Sequence, residues 1–460
     1  MRPFPLRIRR TLFVATLTVL APSAPAHGEL ASHEPAASTS PITGTILFVP
    51  SDIYTYSPAT GDGDAVVGDA SFEKAKAALA AGQVSAALRH ASRAAAFESG
   101  HADARRLLGY QQAGDQWAGG YALRMLKSGH VWHNEFGWVK SEDIAKFKEG
   151  LRPAAGGWIS AEEDARRHAK IARGWAVRTD HFLVTTNIDR AAGVELATRL
   201  VTIYQLWTQL FGEFAATPDE LKSRLAGKQE SGYLRKPFHV IYHRTREEYN
   251  QALRRDQPQI EATLGIYFDS KRESHFFAGA DQDPGTIAHE VVHQFFYESA
   301  PHATRDLAAT ANMWAVEGAA CYFESLVKKL VLPSVAGECY TIGTPEAGRL
   351  PAARHRRVVD NYYVPLAELT GLGMIDLQQR PDIARLYSQS AGLTAFFMDY
   401  KNGVYRHAFR DLLASIYAGR DTPDKLMELT GRSYEDLDRE YFEYMQSLPV
   451  TAAIAPEANP

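Results

Sequence analysis

Cysteine is almost absent from this chain, with Cys321 and Cys339 the only two among 460 residues. A disulfide-stapled scaffold is therefore excluded, and without a CxxC so is a zinc ribbon. The two thiols leave either one disulfide or a pair of buried free thiols. An excess of one charge is also lacking. The net charge of −4 comes with neither a basic stripe nor an acidic tail, so nucleic acid is not an expected partner. Long apolar runs are missing too. The stretch from Thr11 to Leu20 is about ten residues long, where crossing a bilayer takes about 20. No later stretch approaches that length.

What is present begins with the marks of an export signal. Arg2, Arg7, Arg9 and Arg10 make a positive start, and Thr11 to Leu20 supply a short apolar core. Ala24-Pro25-Ala26 then places small residues where a signal peptidase reads. The expectation is a signal peptide over residues 1–26, and a periplasmic or secreted protein. No cysteine follows that junction to take a lipid.

Residues 27–70, rich in Ala, Ser, Pro and Gly, read as a linker carrying one apolar run, Ile46 to Val49. Over residues 71–126 alanines and leucines recur at helical spacing, with breaks at Gly82 and Gly100. That pattern resembles one tetratricopeptide-like helical hairpin, with a surface for a protein partner. Since such repeats stabilise each other by stacking, a plain helical pair packing on the next domain is the preferred reading of a single copy. In residues 127–174, Phe136-Gly137-Trp138-Val139 is echoed twenty residues later by Gly156-Gly157-Trp158-Ile159, and Trp117 fits the same set. Repeated tryptophans predict a small aromatic-cored module, with ligand stacking as the alternative. From Trp175 strands alternate with helices, which makes the fold class α+β. His275 to Ala278 is read as an edge strand able to pair with an extended substrate. After Asp283 nearly everything reads as helical to about Leu448, and residues 451–460 read as a disordered tail.

The chemistry concentrates in two helices. Asp283-Pro284 opens the first with an N-cap carboxylate and a proline in the first turn. His289 and His293 stand four residues apart, so both imidazoles project from one face and can grip one ion. Glu290 is the only charge from Pro284 to Tyr297. A carboxylate among apolar neighbours is costly unless something beside it demands it. The second helix holds Asn312 to Phe323, whose single charge is Glu317, followed by Gly318. Glu317 is the expected third ligand, and Asp306, in a more polar stretch, is the weaker candidate.

His289-Glu290-Val291-Val292-His293 followed by Trp314-Ala315-Val316-Glu317-Gly318-Ala319-Ala320-Cys321-Tyr322-Phe323-Glu324 resembles the gluzincin branch of zinc metallopeptidases. The pattern, HExxH then WxxEGxAxYFE, is similar to the peptidase MA-like family. The likeness extends more loosely over residues 175–450 and implies a zincin-like catalytic domain there: a small mixed sheet, an active-site helix and a helical subdomain. It implies one Zn2+ per chain on His289, His293 and Glu317, Glu290 as general base, and peptide or protein substrates. Glu324 and Asn312 are candidates to orient the imidazoles. An oxyanion donor is expected from the later helical part. Tyr387 is the choice, with His355, Tyr362 and Tyr363 as competitors. Two other functions stand beside this one: a non-catalytic scaffold or binding protein with a peptidase-like domain, and a zinc hydrolase acting on cell-wall or glycan material.

Overall fold

The computed structural model describes residues 13–14, 44–51, 53–54, 64–228, 236–329 and 335–450. Apart from residues 13–14, the expected signal peptide lies outside these residues, as does the tail 451–460. The described chain is mixed α+β, as its sequence predicts.

The alternation from Trp175 onward builds one mixed six-stranded sheet. Its order is Phe13–Val14, Ile266–Phe268, Glu273–Phe277, Phe238–His243, Phe182–Thr186, Trp175–Arg178. Phe182–Thr186, Phe238–His243 and Glu273–Phe277 run parallel, and Ile266–Phe268 is antiparallel to its neighbour. Period-2 alternation gives each strand two faces. Val184, Val240 and Phe276 point to the main core with Ile287, Val291 and Phe295 of the first helix. Ile266, Phe268 and Phe277 join Tyr249 and Leu253 in a smaller core on the opposite face. Glu273–Phe277 lies inside the sheet order, but Ile266–Phe268 pairs with it only from Glu273 to His275, so the edge expected at His275 to Ala278 is covered at His275 alone.

Two further expectations change. The stretch read as a linker contains the strand Thr45–Val49, paired antiparallel with Glu338–Ile342. Leu47 and Val49 are fully buried there, so the apolar run has core positions to fill. The same pairing places the strand Glu338–Ile342 within the region expected to be nearly all helical. The helical hairpin is Ala65–Ala80 and Val84–Phe97, turning at Gly82, whose φ of +73° suits glycine.

Three hairpin-and-helix units follow. Their hairpins are Gln111–Ala113 with Gln116–Ala118, His130–His133 with Gly137–Lys140, and Leu151–Ala154 with Gly157–Ser160. Trp117, Trp138 and Trp158 take the equivalent place in each second strand, so Trp117 belongs to the set and the repeat begins before residue 127. Trp138 packs edge-on against Trp132 and Tyr54, and Trp158 against Phe147. These rings serve as the packing of the module itself.

Candidate metal centre

Asp283 caps the histidine helix, Pro284–Ser299, by accepting a hydrogen bond from the Thr286 amide at 3.0 Å. Beyond the first turn its residues from Thr286 to Phe296 are buried. Two polar side chains tie it to the sheet. Glu290 Oε2 accepts from the Tyr267 backbone N–H at 3.0 Å, and Gln294 Oε1 accepts from Ser274 Oγ at 2.8 Å. The glutamate helix, Met313–Phe323, is buried along its whole length. It lies against the tyrosine helix, Ile383–Asp399, which carries Tyr387.

The i, i+4 spacing brings His289 Nε2 to 3.1 Å from His293 Nε2. Glu317 Oε2 lies 3.5 Å from the first nitrogen and 3.7 Å from the second. Both side-chain oxygens of Glu317 are buried without a hydrogen-bond partner. Such a carboxylate is costly by several kcal/mol unless a cation compensates it. Burial alone would push its pKa up, but His289 and His293 outweigh that and hold it at about 2. The residue is therefore an anion.

The donor set fits a small four-coordinate ion. Ligand atoms about 2.1 Å from a tetrahedral Zn2+ lie roughly 3.4 Å from one another. The three observed separations of 3.1, 3.5 and 3.7 Å bracket that value. His289 also belongs to a second grouping of donors, with Cys321 and Glu324. There the Arg349 guanidinium already pairs with Glu324 at 2.8 Å, and that fixed positive charge opposes a cation.

Behind the three donors, His289 Nδ1 donates to Glu324 Oε1 at 2.8 Å. Of the two residues considered for that role, Glu324 takes it. Asn312 points elsewhere and donates to the Thr422 carbonyl oxygen at 2.9 Å and to Asp421 at 3.2 Å. Asp306 is not among the residues brought together here.

Tyr387 is 1% exposed. Burial, together with the negative charge of Glu317, raises its pKa well above the usual phenol value, so it stays a neutral donor. Its competitors are engaged away from the centre. Tyr362 donates to Asp382 at 2.8 Å, Tyr363 to Asp438 at 2.5 Å, and half-exposed His355 lies 3.5 Å from Asp360.

Cys321 and Cys339 are both free and buried. Cys321 Sγ sits 3.8 Å from His289 Nδ1, and burial raises its pKa. Cys339 belongs to a separate apolar cluster with Phe48 and Phe97. Sequence reasoning missed Arg349, because no motif marks an arginine brought in from a loop.

A cavity of ≈ 1030 Å³ elsewhere in the fold is lined by Tyr110, Tyr204, Arg272 and Glu298, and by none of the metal-site residues. Among known proteins, no family model matches this chain, and no match was found among curated proteins.

Proposed function

We propose that this chain is an exported zinc-dependent metallopeptidase of gluzincin type, with His289, His293 and Glu317 holding one Zn2+. One observation carries the reading: two imidazole nitrogens and an unpartnered, fully buried carboxylate converge at ligand-to-ligand distances. Zinc bound there would supply a Lewis acid for a peptide carbonyl and lower the pKa of water towards about 7. Glu290 takes the proton from the attacking water and returns it to the leaving amine nitrogen. Its hydrogen bond from the Tyr267 amide orients the carboxylate without neutralising it. Tyr387 donates to the oxygen on which negative charge develops. Peptides or proteins are the substrates. Among the described residues no helix is long and apolar enough to cross a membrane.

A second reading draws on the burial of the ligands. His289 and Glu317 are fully buried and His293 is 3% exposed, which favours a structural ion inside a scaffold. Hydrolysis of cell-wall or glycan material remains the third reading. Cleavage of a peptide library by the full chain, with and without a chelator, separates them. The peptidase reading expects cleavage that the chelator abolishes and that Glu290→Gln lowers by about 10²–10⁴-fold with zinc retained. Zinc bound with no peptide cleaved would overturn it in favour of the other two.

A further inference from the structure

Gly348 has a φ of +56° and lies against the end of the glutamate helix. A Cβ there would stand 2.8 Å from the Ser325 nitrogen and 2.9 Å from the Glu324 carbonyl carbon. Only glycine allows that approach, and it delivers the next residue, Arg349, beside Glu324. Arg349 Nε donates to Glu324 Oε2 at 2.8 Å, while Glu324 Oε1 accepts from His289 Nδ1 at the same distance. The guanidinium also lies 5.7 Å from the centre of the Tyr387 ring. Guanidinium, carboxylate and imidazole thus form one row that ends on His289 Nδ1, the ring nitrogen opposite the one facing His293 and Glu317.

The charges point the same way. Glu290 and Glu317 are fully buried, and Arg349 offsets only the partly exposed Glu324, so the group carries −2, which a divalent ion balances. Without Arg349 the site would be more acidic, and Glu324 would be free to turn away from His289.

We propose that Arg349 is a positioning residue for the ligand His289, acting through Glu324. It fixes the carboxylate so that His289 keeps its proton on Nδ1 and leaves the Nε2 lone pair for the ion. The proposal rests on the metal-centre reading above. A merely structural Arg–Glu pair would hold the loop and leave zinc affinity unchanged.

The test is a thermodynamic cycle on the full chain, read as zinc affinity in competition with a chelator. Arg349→Gln and Glu324→Gln should each weaken zinc binding by about 10–100-fold. The double variant should be no weaker than the poorer single one, because both act on one hydrogen bond. In zinc-free protein, ¹⁵N shifts should show one His289 tautomer in wild type and a mixture in Arg349→Gln. Arg349→Gln binding zinc as tightly as wild type, or single effects that multiply in the double variant, overturns the proposal. If Arg349→Gln fails to fold, Arg349→Lys replaces it. Keeping the charge, it should bind zinc more tightly than Glu324→Gln, and equal or weaker binding overturns the proposal. A wild-type chain that binds no zinc overturns the metal reading itself, and this proposal with it.

Discussion

Gly318 lies against the backbone of Ser390: a Cβ on it would stand 2.6 Å from the Ser390 carbonyl oxygen and 2.6 Å from Thr394 Oγ1. That contact sets how closely the glutamate and tyrosine helices, which carry Glu317 and Tyr387, approach each other. Gly318→Ala forces the helices apart or distorts them. The expected cost is about 1–3 kcal/mol, offset in part by the better helix propensity of alanine. Chemical denaturation of the zinc-free protein measures it, and weaker zinc binding should accompany it.

His293→Ala removes one of the three proposed ligand atoms and leaves Glu317 with a single imidazole neighbour. Metal analysis should find about one zinc per wild-type chain and little in the variant. Equal zinc in both would place the ion elsewhere.

Tyr387→Phe removes a hydroxyl while keeping a ring that is fully packed. If Tyr387 is the oxyanion donor, kcat should fall by about 10²–10³-fold, with KM and zinc content nearly unchanged. Loss of stability with unchanged kcat in the folded fraction would mark it as a packing residue.

His243 is buried, its Nε2 lies 3.3 Å from His275 Nδ1, and its own Nδ1 has no hydrogen-bond partner. Burial, and then the neighbouring His275, lower its pKa from 6.5 to about 3. A depressed folded-state pKa gives stability that is present above pH 6.5 and lost as pH falls towards 3. The loss follows from the unfolded chain taking up a proton that the folded chain refuses, at about 1.4 kcal/mol per pH unit. His243→Phe should flatten that limb in denaturation of zinc-free protein between pH 6.5 and 4. An unchanged slope would assign the acid sensitivity to other groups.

The parts of the site lying within one helix were legible in the sequence. His289 and His293 share a face because 3.6 residues make a turn, and Asp283-Pro284 starts their helix as its cap chemistry requires. Glu317 was legible as an isolated charge among apolar residues, since a carboxylate there has to be compensated. The strand Thr45–Val49 was harder to read. Its apolar run is visible, but its partner Glu338–Ile342 lies nearly three hundred residues away, beyond any local pattern. For the same reason the pairing of Glu273 to His275 with Ile266–Phe268 was not legible: alternation reveals the faces of a strand but not its neighbours.

Taken alone, the amino-acid sequence determined the α+β class, the paired imidazoles, the lone Glu317 and the tryptophan repeat, because each follows from periodicity or from the cost of burying a charge. Tertiary structure alone decided which groups stand behind the site. It chose Glu324 over Asn312, engaged Tyr362 and Tyr363 elsewhere, kept the two thiols apart and brought Arg349 in on a glycine turn. Those choices depend on how helices distant in sequence pack, and packing is a property of complementary surfaces that no local spacing encodes.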